Sequence, residues 1–430
     1  MGDDIMYISQ ALIDNINDSN SNAIEVYLRA NNIQKSEEDE GMETKLWVNK
    51  LFGQSKINLD NFEEFLFSEL FYGKRKLIRV YKIDECRKYS LPTDWGEGLA
   101  LYSDSKGYEF SNILSSEPNE KKTAKIVATK MIKNEDGELN NLKLIFAYDI
   151  KLQGKDGELE KSCVYIPVEI DFINERMIIK AWQRKRVALE TDRCESLFER
   201  TLNILNNNFH VKYVNIGTKH KKVLYQLSKN LIDNVYNQIP AFKAVADCSE
   251  IIEGFSNEII NRLPLENVVD SDENKILNEG VMQFEREIYN DVEGLAINDY
   301  FFEKKFSDIW DMGIEGIVAR IRFKDGEKVI TSLKGENTAM PIFVTKTFMT
   351  LRERMNAEKR VEAIWIALAR EKSNLNLKYD AADADYLEIW IRYGIKFRED
   401  DMQMALRIYD KYEEQVFESV EKQIENAVGQ

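Results

Sequence analysis

Two carboxylates and a lysine in the middle of the chain have a spacing that metal-dependent phosphodiester chemistry could use. Glu169 and Asp171 lie two residues apart in a run predicted to be a strand, so both side chains would point to one face of a sheet. Lys180 belongs to the next such run and could approach them across a hairpin. Oxygen ligands from two acidic residues suit Mg²⁺, with a lysine to activate water. These residues are the catalytic candidates of a divergent, Mg²⁺-dependent nuclease.

Two features of this trio favour a structural interpretation instead. The sequence lacks an acid-x-Lys pattern on one strand, and the predicted elements come in an unusual order for such a nuclease. An acidic strand that pairs with basic neighbours across the sheet explains the same residues without any chemistry. We therefore treat the nuclease as the alternative, lean towards a protein that is not an enzyme, and expect neither a metal site nor a cofactor outside that alternative.

Motifs for several other chemistries are missing from the sequence. There is no GxxxxGK[ST] phosphate loop, no GxGxxG after a strand and no GxSxG nucleophile elbow. The two histidines, His210 and His220, lack metal-ligand spacing to a cysteine or to each other. The four cysteines form no CxxC pair, which is typical of reduced thiols in a cytoplasmic protein.

Positive charge is concentrated in the middle of an acidic chain. Residues 71–235 carry 29 Lys and Arg against 23 Asp and Glu, a net charge of +6. Residues 1–70 have a net charge of −9 and residues 236–430 one of −13, within a total of −16. A cationic segment in an acidic protein indicates a surface for an anionic partner.

Three basic stretches, at residues 72–88, 176–186 and 212–229, are the candidate nucleic-acid interface. Their lysines and arginines could neutralise phosphates while an aromatic ring such as Trp182 stacks on bases. Lysines at a predicted helix start also oppose the helix dipole, a cost that a bound anion would relieve. The alternative is solvated charge that balances acidic neighbours. The predicted nucleic-acid-binding residues are Arg79, Lys82, Arg184, Lys185, Arg186, Lys221 and Lys222.

Alternating apolar runs separated by turn residues predict an antiparallel meander of four strands over residues 123–187. Asp-Gly pairs at 136–137 and 156–157 and the Asn-Glu pair at 174–175 mark the three turns. Pro167 has no amide hydrogen to donate, so its strand is expected to lie at an edge or to bulge there. Amphipathic stretches after the meander predict helices that pack on this sheet.

The fold class predicted from these patterns is α+β, in four consecutive parts. They are an acidic helical N-terminal region (1–70), an α+β domain with a basic surface (71–240), a helical bridge (241–300) and a second α/β domain (301–430). The last part should end in a long helix over residues 400–427 that buries Ile408, Tyr412 and Val416.

The leading functional prediction is a non-enzymatic, nucleic-acid-engaging or regulatory subunit of an intracellular bacterial complex. Residues 71–235 would meet the nucleic acid, and a protein partner or self-association is expected elsewhere. No apolar run is long enough to span a bilayer, so no membrane partner is expected. Anti-phage defence is a guess about the setting that no residue supports. Besides the nuclease, the remaining alternative is a structural oligomer built through the C-terminal helix.

Overall fold

The computed structural model describes residues 7–17, 22–84, 89–105, 107–116, 124–154, 156–264, 279–302, 306–324, 330–335, 341–370, 373–392 and 396–428. Contacts between residues divide the chain into two compact units. Unit 1 consists of Met1–Gly217 and Asp383–Met404, and unit 2 of Thr218–Ala382 and Ala405–Gln430. Each unit is thus built from two separate segments of the chain, whereas the division into four consecutive parts stays a prediction.

The described residues form helices and antiparallel strands, which confirms the predicted α+β class. The helices are α1 (Gln10–Ile16), α2 (Ala23–Ala30), α3 (Thr44–Gly53), α4 (Leu59–Phe71), α5 (Gly96–Tyr102), α6 (Cys194–Asn208), α7 (Lys219–Tyr236), α8 (Pro240–Val245), α9 (Ser249–Arg262), α10 (Glu279–Phe301), α11 (Lys346–Glu358) and α12 (Glu399–Val428). The strands are β1 (Leu77–Lys82), β2 (Phe110–Ser111), β3 (Lys125–Lys133), β4 (Leu139–Gln153), β5 (Leu159–Asp171), β6 (Arg176–Ala181), β7 (Gly316–Lys324), β8 (Ile330–Lys334), β9 (Ala363–Ala369), β10 (Asn374–Asp380) and β11 (Leu387–Ile391).

Unit 1 is organised around the predicted meander. Strands β3, β4, β5 and β6 pair with their sequence neighbours in antiparallel fashion, which confirms this part of the fold. The turns use the backbone conformation that the sequence indicates: Gly137 and Gly157 have φ angles of +81° and +82°, and Glu175 has a φ angle of +50°. Glycine adopts positive φ without steric cost, so the two Asp-Gly pairs set these turns locally. The sheet order in this unit is β2-β3-β4-β5-β6-β1-β11.

Pro167 is accommodated differently from the prediction. Strand β5 lies between β4 and β6, so it is not an edge strand, and Pro167 sits opposite Ile145 in a regular register with β4. Pairing with β6 covers Val168–Asp171 and does not include Pro167, which directly precedes Val168 in the sequence. The strand is therefore locally unpaired on one side where the missing amide hydrogen would otherwise be needed.

Helices cover both faces of the unit 1 sheet. Helix α6 packs on β5 and β6, and α1 and α4 pack on β5. The N-terminal region is held by the buried side chain of Arg75, which donates hydrogen bonds to the backbone oxygen and the Oδ1 of Asn15, both at 2.8 Å. Asn15 in turn donates to the backbone oxygen of Cys163 on β5 at 2.8 Å. The acidic N-terminal helices are thus part of the same packed unit as the meander.

Unit 2 contains the sheet order β10-β9-β7-β8 and its own helices. Helix α7 packs on β7 and β9, and α10 contacts α8, α9 and α11. Tyr379 on β10 donates a hydrogen bond from its hydroxyl to the backbone oxygen of Ala405 on α12 at 2.6 Å. One face of this sheet is therefore covered by helices, and α8, α9 and α10 occupy the segment predicted to be a helical bridge.

The long C-terminal helix is confirmed as α12. Ile408 and Tyr412 are buried as predicted. Val416 is only partly buried, so the prediction of a buried Val416 is wrong: the apolar stripe continues in the sequence, but the close packing does not reach this residue. Among the described helices, none is both long enough and apolar enough to cross a membrane.

Candidate nucleic-acid interface

Arg79, one of the predicted binding residues, lies inside unit 1 and not on a surface. Its guanidinium forms ion pairs with Glu195 and with Glu388, the latter at 3.2 Å between Nε and Oε2. The aromatic rings of Phe198 and Tyr386 lie 4.4 Å from the guanidinium carbon. Only 6 % of the residue is exposed, because these two carboxylates and two rings enclose it. Arg79 therefore stabilises the fold and cannot line a binding surface.

Lys82 and Arg184 are also engaged within unit 1. The ammonium of Lys82 lies 3.3 Å from a carboxylate oxygen of Glu175. Arg184 donates a hydrogen bond to the Ser162 hydroxyl at 2.7 Å, and its other terminal nitrogen lies 3.6 Å from the Asp14 carboxylate. Ion pairs of this kind hold the side chains against the protein and leave less positive charge for a ligand.

Lys185 and Arg186 are the exposed members of the predicted set in unit 1. Neither forms an ion pair with any described residue. They lie in the loop after β6, where the backbone oxygen of Arg186 accepts a hydrogen bond from the Gln153 amide at 2.8 Å. This loop therefore lies beside the end of β4, and the side chains of Lys185 and Arg186 are exposed on it.

Part of the positive charge of residues 71–235 is matched by carboxylates from the acidic flanks. Such pairs within one unit are Arg184 with Asp14, Lys130 with Glu64, Arg79 with Glu388, Lys143 with Glu399 and Lys221 with Glu362. Folding therefore brings basic and acidic segments together and offsets part of the charge segregation along the sequence. A net charge of +6 in a segment does not here indicate a basic surface of that size.

The acid–lysine trio does not form an open catalytic site. Lys180 and Glu169 do come together, with 3.0 Å between Nζ and Oε2, but their side chains are 0 % and 6 % exposed. Asn141 donates a further hydrogen bond to Glu169 at 2.9 Å. The carboxylate of Asp171 is turned to Arg176, with 3.1 Å between Oδ2 and Nε. Glu169 and Lys180 thus contact each other as predicted, whereas Asp171 forms a different ion pair, with Arg176.

The surroundings of Lys180 are those of a buried structural charge. Its ammonium lies 3.9 Å from the ring centre of Phe71 and 4.4 Å from that of Tyr72. Burial lowers the pKa of Lys180 to about 8, against the opposing attraction of Glu169. Burial alone would raise the pKa of Glu169, but the charges of Lys180 and Lys143 outweigh it and hold this pKa below its usual value. In the described part of the chain, no group of three or more His, Cys, Asp or Glu could hold a metal ion.

The predicted lysines on α7 lead to a different surface, in unit 2. Lys221 lies 3.4 Å from a carboxylate oxygen of Glu362, and Lys324 lies 3.5 Å from the same oxygen. The other carboxylate oxygen of Glu362 lies 3.8 Å from Nε of Arg322. Lys222 is partly buried on the same helix turn. The Glu362 carboxylate therefore lies close to cations from both α7 and β7, at one end of the unit 2 sheet.

Arg322 and Lys324 of this cluster lie on one polar face of that sheet, which we call the basic face. Ile321 and Phe323 of β7 are buried on the opposite face, so the alternate residues of the strand point away from the helices. Residues of the neighbouring strands lie in register with them. The basic face consists of Arg320, Arg322 and Lys324 on β7, Lys334 on β8, Trp365 on β9 and Lys378 on β10.

One row of the basic face crosses all four strands. Arg320 is paired with Lys334 on one side and with Trp365 on the other, and Trp365 is paired with Lys378. The guanidinium carbon of Arg320 lies 4.2 Å from a ring centre of Trp365, and the ammonium of Lys378 lies 5.2 Å from it. Arg320 also donates hydrogen bonds to the Ser332 hydroxyl at 3.1 and 3.2 Å. A partly exposed indole thus stands between two cations, and a third cation, Lys334, lies on the far side of Arg320.

Among the residues that the structure describes, positive charge exceeds negative charge on this face. Asp380 accepts hydrogen bonds from Arg322 at 3.0 and 3.1 Å, and its carboxylate lies 2.6 Å from the ammonium of Lys378. Among the described residues, the five cations of the basic face and the nearby Lys221 of α7 face two carboxylates, those of Asp380 and Glu362. Arg320 and Lys334 also stand directly opposite each other, an arrangement of like charges that destabilises a sheet and that a bound anion would relieve.

Counting charge by segment conceals the basic face. Residues 236–430 have a net charge of −13, and the net charge of this segment therefore gives no indication that it binds an anion. The signal is the alternation in GIVARIRFK, residues 316–324, where Arg320, Arg322 and Lys324 occupy every second position. Because alternate residues of a strand share a face, charge has to be counted by position on the strand and not by segment.

Comparisons with known proteins add no functional assignment. No protein-family model matches the chain. No curated protein matches it either. The functional argument therefore depends on the geometry of the described residues.

Proposed function

We propose that this chain is a non-enzymatic nucleic-acid-binding protein whose contact surface is the basic face of unit 2. The observation that carries the proposal is the excess of positive charge around a partly exposed tryptophan on one sheet face. Lysines and arginines neutralise phosphates and release counterions, which supplies most of the affinity for nucleic acid. Aromatic rings add stacking on bases.

The carboxylates on this face are compatible with such a role. Asp380 and Glu362 offset part of the charge of Arg322, Lys324 and Lys378, as carboxylates do for the cations of unit 1, but they also fix these side chains in position, and Arg320 and Lys334 form no ion pair with a described residue. Lys221, which the sequence indicates as a binding residue, joins the same cluster through Glu362. The paired cations of unit 1, such as Arg79, Lys143 and Arg184, then serve mainly to stabilise that unit.

The cellular setting stays a prediction. A regulatory subunit of an intracellular bacterial complex is consistent with a binding protein without a catalytic site, and anti-phage defence remains a guess. The nuclease alternative receives no support from the buried pair of Glu169 and Lys180.

Salt dependence tests the proposal. The variant Lys324→Ala/Lys334→Ala removes two exposed cations of the basic face, and Lys185→Ala/Arg186→Ala removes two exposed cations of unit 1 as a control with the same change in net charge. If both lysines contact phosphates, the slope of log K against log salt should flatten by about 1.4 for a single strand, at about 0.7 per phosphate. Equal weakening by the control, or no binding at low salt, would contradict the proposal.

A further inference from the structure

The row of side chains across the unit 2 sheet indicates the chemical class of the anionic ligand as well as its charge. Lys334, Arg320, Trp365 and Lys378 lie side by side on four adjacent strands. Three interstrand spacings separate the outer two backbones, a distance of about 14 Å. The side chain in the third position of the row is flat and aromatic, and the others are cationic.

An unkinked duplex cannot stack a base on this aromatic side chain. Its bases are paired and stacked on each other, so a ring on a sheet face reaches only the backbone or the edges of bases. A single strand exposes the flat faces of its bases, and these stack on tryptophan or on the plane of a guanidinium. The pair of Arg320 and Trp365, 4.2 Å apart, offers both kinds of plane.

The position of the aromatic pair does not suit the major groove of a duplex. That groove admits a two-stranded ribbon, whereas Arg320 and Trp365 lie on β7 and β9, which have β8 and β10 on their outer sides. Ser332 holds the Arg320 guanidinium beside the indole, so the stacking surface exists before a ligand binds.

We propose that the ligand of the basic face is a single-stranded nucleic acid, with one base stacked on the pair of Trp365 and Arg320 and the adjacent phosphates bound by the flanking cations. This inference rests on the proposed function and narrows it to a class of ligand. Because stacking is tolerant of base identity, the preference should be for single strands in general and not for a particular sequence.

The test compares a fluorescently labelled oligothymidylate of 30 nucleotides with the same strand annealed to oligodeoxyadenylate, by anisotropy at one fixed salt concentration. The single strand should bind at least about tenfold more tightly, because only its bases can stack. Trp365→Ala should weaken single-strand binding by about 5- to 150-fold, and Trp365→Phe should retain most of the affinity. Neither variant should change the salt slope, since no phosphate contact is removed.

Trp182→Ala is the matched control. Trp182 is a partly exposed tryptophan of unit 1 with Lys74 and Arg184 near its ring. It therefore has the same kinds of neighbours as Trp365, but it is not part of a row of side chains across the unit 2 sheet. The control should bind like the unmodified protein. Equal affinity for duplex and single strand, or a loss with Trp182→Ala instead of Trp365→Ala, would overturn the inference and leave nucleic-acid binding intact. Failure of both probes to bind at low salt would instead refute the proposed function itself.

Discussion

Replacement of Glu169 by glutamine tests whether the buried acid–lysine pair is structural or catalytic. The carboxylate lies 3.0 Å from the ammonium of Lys180, and neither side chain is exposed to more than 6 %. Glutamine keeps the shape and can still accept the hydrogen bond from Asn141, but it removes the negative charge. Lys180 would then be a buried cation beside the rings of Phe71 and Tyr72 that has lost its carboxylate partner.

The expected loss of stability is large. Removing one partner of a buried ion pair typically costs about 3–5 kcal/mol, because the remaining charge stays buried without compensation. Lys180 could instead lose its proton. The loss of stability at pH 7 is then at most about 5 kcal/mol, which is the free energy needed to deprotonate a lysine with the pKa that it has in the unfolded chain. In a unit of this size, about 2–4 °C is lost per kcal/mol, so the melting temperature should fall by about 6–20 °C.

The matched control is the double variant Glu169→Leu/Lys180→Met, which replaces the ion pair with apolar side chains of similar volume. Such replacements are often neutral or stabilising, so the melting temperature should largely recover. Thermal unfolding followed by circular dichroism measures all three proteins. An unchanged melting temperature in Glu169→Gln, together with the loss of a Mg²⁺-dependent nuclease activity, would refute the structural assignment and restore the catalytic one.

Three further predictions concern packing and pH. Ile408→Ala should lower the free energy of unfolding by about 2–5 kcal/mol in urea titrations, whereas the exposed Arg407→Ala should change it little. Burial lowers the pKa of His220 to about 4, so between pH 6.5 and 4 the histidine gains a proton in the unfolded chain but not in the folded one. The free energy of unfolding should therefore fall by about 3 kcal/mol as the pH is lowered through this window. The variant His220→Gln should not show this loss. Asn15→Ala should cost about 1.5–3 kcal/mol in the same titrations, because one charged donor of Arg75 loses its side-chain acceptor while the other keeps the backbone oxygen of residue 15; an unchanged midpoint would show that water replaces the asparagine.

Local signals in the sequence predict the elements of the fold well. The Asp-Gly turns depend on the glycine backbone alone, and Gly137 and Gly157 have the expected positive φ angles. Helix α12 follows from a stripe of apolar residues that any tertiary context would bury on one side. Strand β10 is not among the predicted strands, although Leu375, Leu377 and Tyr379 alternate there, because asparagines and a lysine separate them.

The candidate site could not be predicted in the same way, since it depends on contacts between distant parts of the chain. Arg79 looks like an open cation in the sequence, but its partner Glu388 comes from a strand 309 residues away. Lys180 looks like a catalytic lysine, but the rings that enclose it come from the end of α4 and its neighbourhood. Burial and pairing of charges are tertiary properties, and residue types and their spacing do not encode them locally.

Photochemical crosslinking tests the central claim most directly. The purified full-length protein would be mixed with a 30-nucleotide single strand at low salt and irradiated, and the crosslinked peptides would be identified by mass spectrometry. The basic face predicts crosslinks in the peptides that contain Gly316–Lys324 and Ala363–Ala369, with Trp365 as a principal site. Crosslinks confined to the loop with Lys185 and Arg186, or none on the unit 2 sheet, would contradict the assignment.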